Sequence, residues 1–402
     1  MRPSRPAAAI GAALAALTAA ATITVAAPPP AGAMPTPALP HPDAFGIDTI
    51  GPLRPVTNLS DRMFEATMTT PALFEARGVT TPADVSAEVR VRVLLPDGYD
   101  PARARGYDVL YLLHGGGGDY LQWSVRTDWL GQNGGAVADV IPGYPGIVVM
   151  PEGGKAGWYT DWAGHTDGNF APLWETFHVD QLVPWVDANF NTAATRASRA
   201  VAGLSMGGLG ALRYAALHPD VYGAVGAFSA GTTLDDPDAW DIVDQSMLGF
   251  GATIVNQGLF DGHYRVNPPW PGSGHENDRH YRLEAVFGPS ELTGQPADQR
   301  WRDVSPAGGL APAYAAYDGR MAVYSGGITA AGGVATTGET GIGAWNLLLH
   351  DRLGPDDLDV PHRWCGGTGG HDMSAWRADL VDFVDFLADG DAGACPNVPP
   401  PS

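Results

Sequence analysis

Ser205 stands in Gly203-Leu204-Ser205-Met206-Gly207, a Gly-x-Ser-x-Gly spacing that suits one kind of chemistry, attack by a hydroxyl on an acyl carbon. A serine hydroxyl is a weak nucleophile at its own pKa. It needs a base within hydrogen-bond reach and a third group to orient that base. The pentapeptide is common, and its surroundings make it specific. An apolar run over 201–204 precedes it and a helical pattern over 209–217 follows, so the order is strand, sharp turn, helix. Glycines flank the serine two residues away because a Cβ there would meet the neighbouring strand or helix. The helix N-terminus behind it favours developing negative charge.

In this arrangement the acid and the histidine follow the serine in the order Ser…Asp/Glu…His, with the histidine in a loop between the last strand and the final helix. His371, in Gly366-Gly367-Thr368-Gly369-Gly370-His371-Asp372, occupies that place. The other late histidines fit less well: His350 falls in an expected helix, His362 in an expected strand, and His280 ahead of the late strands. Glu339 is the first carboxylate after the expected strand at 321–325 and is the acid that this order selects, with Asp235, Asp236 and Asp351 as alternatives. Leu113-His114-Gly115-Gly116-Gly117-Gly118 follows the apolar run at 107–113 and is of the His-Gly-Gly-Gly type that lends a backbone N–H to an oxyanion hole. Gly116 is the expected donor there, and Met206, next after the serine, the other.

These groups need a scaffold. Residues 89–95 alternate with period two and read as an early antiparallel edge strand. Continuous apolar runs at 107–113, 146–150, 201–204, 221–228, 321–325 and 360–364 read as strands of a mostly parallel sheet. Helical spacing marks 174–190, 346–353 and 375–387. Strands alternating with helices predict an α/β fold with a doubly wound sheet in one domain over 58–390. From 231 to 318 the pattern breaks down into a stretch dense in Asp, Gly, Pro and Trp, an insertion at the carboxyl ends of the strands where ligand crevices form. Residues 34–57 are proline-rich and read as a linker or surface wrap, and 391–402 as a proline-rich tail.

The N-terminus has a positive start (Arg2, Arg5), an Ala/Leu/Ile-rich run and a small-x-small site at Ala31-Gly32-Ala33, the pattern of a secretory signal peptide over 1–33. An uncleaved anchor is the alternative reading of the same run. With 23 Lys and Arg against 44 Asp and Glu, the net charge is −21, which argues against nucleic acid or anionic membrane as partner. Cys365 and Cys395, the two cysteines, fit an oxidising compartment. A bridge between them would close a loop of about 30 residues, stabilising by roughly 3–4 kcal/mol, and would tie the tail to the histidine loop. Two unrelated thiols are the other reading. Cysteines this far apart make no metal site.

Tyr111-Leu112-Leu113-His114-Gly115, Val149-Met150-Pro151-Glu152-Gly153-Gly154, Tyr159-Thr160-Asp161-Trp162, Trp174-Glu175-Thr176-Phe177 and Gly203-Leu204-Ser205-Met206-Gly207-Gly208 occur in that order. Together they resemble the esterase D-like branch of the α/β-hydrolases, which includes the antigen 85 mycolyltransferases and the S-formylglutathione hydrolases. The resemblance runs from about residue 85 to 390. It implies an α/β-hydrolase fold, Ser205 as nucleophile, His371 as base, Glu339 as acid, and Met206 and Gly116 as oxyanion donors. It puts His114 and Trp162 at substrate-binding positions and implies no metal or organic cofactor. The chain departs from the mycolyltransferases where they have aspartate at the place of His114, arginine near Gly117 and tryptophan at the place of Met373, positions that help to hold trehalose in that group. The expected function is a secreted serine carboxylic-ester hydrolase acting on a small-molecule or lipid ester. The alternatives are an acyltransferase with the same triad, using a sugar or alcohol acceptor, and a non-catalytic secreted binding protein on the same fold.

Overall fold

The computed structural model describes residues 34–74, 88–127, 133–163, 172–236, 238–243, 246, 286–288, 301–329, 332–334, 339–390 and 393–396. The expected signal peptide at 1–33, most of the middle of the 231–318 stretch, and the end of the tail lie outside the described residues.

Among the described residues ten strands form one sheet. In chain order they are β1 (Asp48–Thr49), β2 (Arg54–Pro55), β3 (Met63–Thr69), β4 (Val89–Leu94), β5 (Val109–Leu113), β6 (Ile147–Pro151), β7 (Arg199–Leu204), β8 (Ala224–Phe228), β9 (Met321–Ser325) and β10 (Arg363–Gly366). The spatial order is β1-β3-β4-β6-β5-β7-β8-β9-β10, with β2 also on β3. From β6 to β10 every pairing is parallel; β4 joins β6 antiparallel, and β3 joins β4 antiparallel.

Among the described residues the helices include α1 (Pro71–Phe74), α2 (Val137–Val140), α3 (Val183–Asn189), α4 (Met206–Leu217), α5 (Thr340–Leu353) and α6 (Met373–Asp389). A π-helical stretch over Thr176–Leu182 runs directly into α3. Alternate strand residues feed two cores. Val109, Tyr111, Leu113, Val149 and Val201 pack with Leu209 and Leu212 of α4 on one face. Leu110, Leu112, Val148, Ala202 and Phe228 pack with Leu380 and Phe383 of α6 on the other. Burial on both faces is why these strands are apolar throughout.

The antiparallel end departs from expectation. Residues 89–94 are antiparallel, as anticipated, but they are not the edge, because β3 lies outside them. β3 reads poorly as a strand because its middle holds Glu65, 2% exposed, whose carboxylate pairs with Arg54 at 2.6 Å and Arg92 at 3.2 Å. Buried ion pairs across neighbouring strands look like surface in a hydropathy reading. The proline-rich segment 34–57 supplies β1 and β2 and buries Ile47, Leu53 and Val56. Within 231–318, a 3₁₀ helix at Ala311–Tyr317 packs on α4, Tyr314 and Tyr317 donating their hydroxyls to the carbonyls of Leu212 and Ala215. Cys365 and Cys395 are joined by a disulfide, tying 393–396 to β10. Among the described residues no helix is long and apolar enough to cross a membrane.

Candidate active site

The site is assembled at the carboxyl ends of β5, β7, β8, β9 and β10. Ser205 follows β7 directly and is the N-cap of α4, with φ 53° and ψ −118°, a backbone conformation that L-residues seldom adopt. The turn is this tight because its glycines leave no room for a Cβ. One at Gly203 would lie 2.4 Å from the Gly207 carbonyl oxygen, and one at Gly207 would lie 2.4 Å from that of Leu113. Leu204 pairs in register with Phe228, so Ser205 and Ser229 emerge side by side at the ends of adjacent strands.

Ser205 Oγ lies 3.0 Å from His371 Nε2, and His371 Nδ1 is hydrogen-bonded to Glu339 Oε1. Glu339 is buried, and its second oxygen accepts from the Ser229 hydroxyl at 3.0 Å and the Gly326 N–H at 2.8 Å. It is also the N-cap of α5, where the positive end of the helix favours a carboxylate. His371 sits edge-on to Trp376, ring centroids 4.8 Å apart and planes at 86°. The next residue, Asp372, caps α6 by accepting from the N–H groups of Ser374 and Ala375. The Ser374 hydroxyl and those N–H groups hold the Asp372 carboxyl below its ordinary range, so it is a fixed anionic cap beside the histidine.

Of the other candidates for the acid and the base, those among the described residues stand away from this line. Asp235 pairs with Arg302, Asp236 accepts from Trp345 Nε1, and Asp351 is exposed on the last turn of α5. His350 and His362 bond to each other at 2.8 Å. His280 lies outside the described residues.

The glycine loop after β5 lies against the serine turn. A Cβ on Gly115 would be 2.5 Å from Leu204 Cδ1 and 3.4 Å from Ser205 Cβ, and one on Gly116 would be 3.9 Å from Met206 Cβ. The Met206 N–H is the first of α4 and has no carbonyl of its own helix to bond. Next to Gly116 the glycine loop is tied down: Gly117 N–H donates to the Lys155 carbonyl and Gly118 N–H to that of Gly115.

His114 and Trp162 are not surface groups of this site. His114 is 1% exposed, with both ring nitrogens bonded to backbone. Trp162 is 2% exposed and donates its indole N–H to the Gly157 carbonyl. Buried and bonded to backbone, they support the loops around the serine. Ser229 and the Gly326 N–H, which hold the acid, escape a motif reading. The signal that finds them is strand register: Leu204, Phe228 and Tyr324 are paired neighbours, so the residues just past them share one edge.

Comparison with known proteins agrees with this geometry. The Esterase family matches residues 83–324, more than half of the chain, a span that includes Ser205 and ends before Glu339 and His371. Esterase Rv1288 of Mycobacterium tuberculosis is 40% identical over 206 residues, which cover 50% of this chain and 42% of that protein. Diacylglycerol acyltransferase/mycolyltransferase Ag85B of Mycobacterium leprae is 36% identical over 133 residues, covering 31% of this chain and 37% of that protein. The chain thus spans about two fifths of the length of these curated relatives. An S-formylglutathione hydrolase from Agrobacterium tumefaciens superposes with a TM-score of 0.51 at 14% identity, covering 82% of this chain and 95% of that one, a likeness of fold. The sheet order, the serine turn after β7 and the family match agree: this chain has the α/β-hydrolase fold and belongs to the Esterase family.

Proposed function

We propose that this protein is a secreted serine esterase that works through an acyl-enzyme. The observation that carries the reading is the continuous hydrogen-bonded line from Ser205 Oγ through His371 to a buried Glu339. Ser205 Oγ attacks the ester carbonyl as its proton passes to His371 Nε2, and Glu339 steadies the resulting imidazolium. The carbonyl oxygen, now an anion, is held by the Met206 and Gly116 N–H groups. Collapse expels the alcohol, which takes the proton from His371 and leaves the acyl group on Ser205. Water then attacks the acyl-enzyme with His371 again as base, and Ser205 regains its proton on release of the acid.

Export is supported by the charged, apolar and small-residue pattern of 1–33 and by the disulfide. The substrate class is an ester of a small molecule or lipid. The identity with a relative named as an acyltransferase supports a second reading, in which a sugar or alcohol replaces water in the last step. Ser205→Ala is expected to abolish p-nitrophenyl ester cleavage and labelling by a fluorophosphonate; full labelling of the variant would overturn the assignment. Product analysis with an acyl donor, with and without glycerol, glucose or trehalose, separates hydrolysis from transfer.

A further inference from the structure

Behind the glycine loop, two buried histidines and two peptide groups form a single file of hydrogen bonds. His178, in the π-helical stretch, stands at its start. Its Nε2 lies 2.7 Å from the Glu152 carbonyl oxygen and its Nδ1 2.8 Å from the Tyr214 hydroxyl. A carbonyl can only accept, so Nε2 carries the proton and Nδ1 accepts from Tyr214. Burial pushes the His178 imidazole down to about 4, so it is neutral at ordinary pH. The Glu152 carbonyl and the Gly153 N–H belong to one planar trans peptide and point in opposite directions. Bonding the first therefore aims the second, and the Gly153 N–H donates to His114 Nε2 at 2.8 Å.

The same logic repeats one step on. With Nε2 accepting, His114 carries its proton on Nδ1, which donates to the Gly115 carbonyl at 2.9 Å. That carbonyl shares its peptide plane with the Gly116 N–H, and Gly118 N–H donates to it as well, at 3.1 Å. The Gly116 N–H therefore points the opposite way. Tyr214, His178 and His114 are at most 3% exposed, so no water competes along the file. Glu152, also buried, braces the turn by accepting from the Tyr120 and Gly154 N–H groups. Burial lowers the pKa of the His114 imidazole and the Glu152 carboxylate, 3.6 Å from Nε2, raises it, with a net rise; the Gly153 N–H aimed at the same nitrogen keeps Nε2 the acceptor.

We infer that Tyr214, His178 and His114 are positioning residues that orient and polarise the Gly116 N–H toward the oxyanion, through the peptides 152–153 and 115–116. Every donor in the file faces the same direction, from α4 and the π-helical stretch to the serine turn. Aligned bonds in a low-dielectric interior strengthen one another, so charge on the oxyanion is answered along the whole file. Tyr214 lies on the same helix that Ser205 caps, so both ends of the file are anchored to α4.

The inference rests on the proposed function, and the test separates the two. His114→Ala, His178→Gln and Tyr214→Phe are compared with the parent for p-nitrophenyl ester hydrolysis, for thermal melting, and for inhibition by an aryl trifluoromethyl ketone, whose serine adduct carries an oxyanion. Loss of one oxyanion donor costs on the order of 10²–10³ in turnover. Misaiming that donor in His114→Ala is expected to lower kcat by about 10²-fold with KM within about twofold, and Tyr214→Phe to lower it by roughly threefold. Across the set, the loss in kcat/KM should match the loss in inhibitor affinity factor for factor. That proportionality marks stabilisation of charge and is not produced by loosened packing. Tyr214→Phe and His178→Gln carry the test should His114→Ala fail to fold. Folded variants with parental kcat, or a loss of kcat with inhibitor affinity unchanged, overturn the inference. A parent enzyme that the ketone does not inhibit through Ser205 overturns the esterase reading instead.

Discussion

Glu339→Gln changes one atom of the side chain, and the structure dictates which way the new amide must face. The glutamate oxygen away from His371 accepts from two donors, the Ser229 hydroxyl and the Gly326 N–H. The latter can only donate, so the glutamine oxygen must take that position and its NH₂ must face His371 Nδ1. Nδ1 is then forced to accept, and the ring proton moves to Nε2, the nitrogen 3.0 Å from Ser205 Oγ. A base that already carries its proton cannot take another from the serine. Enforcing the wrong tautomer in a triad costs about 10⁴ in kcat, which is about 5 kcal/mol of barrier at 1.36 kcal/mol per tenfold. Steady-state hydrolysis of a p-nitrophenyl ester by the folded variant, checked by its melting temperature, measures this directly. A folded Glu339→Gln protein that keeps a tenth or more of the parental kcat would refute the reasoning, because Glu339 would then not set the tautomer of His371.

Three further outcomes are expected. Gly207→Ala puts a Cβ 2.4 Å from the Leu113 carbonyl oxygen and 2.6 Å from that of His114; overpacking of backbone should cost about 1–3 kcal/mol, near the upper end, read as a lower Tm together with lower kcat. Cys365→Ser opens a loop with a sequence separation of 30 and should cost roughly 3–4 kcal/mol in a denaturant titration, with no loss in a parent already reduced. His350 and His362 are held below the ordinary histidine value, chiefly by burial and, for His350, by the neighbouring His362 charge as well. The unfolded chain takes up protons there first, so the stability this pair contributes is complete above about pH 6.5 and is lost as pH falls toward the depressed folded values. Melting temperatures between pH 7.5 and 5 should therefore decline less steeply in His362→Gln than in the parent.

Much of the scaffold was legible because the central strands are unbroken apolar runs between glycine-rich turns. The strand at 321–325 has the bounds read from its sequence, and that at 107–113 shifts by two residues at its start. The antiparallel end was not, since Glu65 and Arg92 are core residues that hydropathy scores as surface. Nor was the π-helical stretch, because Leu182 at its end and Trp185 and Val186 of α3 together show ordinary helical spacing. Motif and chain order single out Ser205, Glu339 and His371, which the fold brings within hydrogen-bond reach across 32 and 166 residues of sequence. The burial of His114 had no sequence signal, because its hydrogen-bond partners are backbone groups, one of them 39 residues downstream, and the carboxylate beside it, Glu152, is nearly as far away in sequence.

Two of the three side chains on the Ser205–His371–Glu339 line begin helices: Ser205 caps the twelve-residue α4, and Glu339 caps the fourteen-residue α5. In a chain with a net charge of −21, the α4 N-terminus puts a partial positive charge made of peptide bonds at the serine, while that of α5 is answered by the Glu339 carboxylate it carries. Such charge cannot be titrated away, and it acts only within the first turn of the helix. The protein can therefore be strongly acidic overall and still receptive to a developing anion at one point, through peptide groups that alkali does not neutralise.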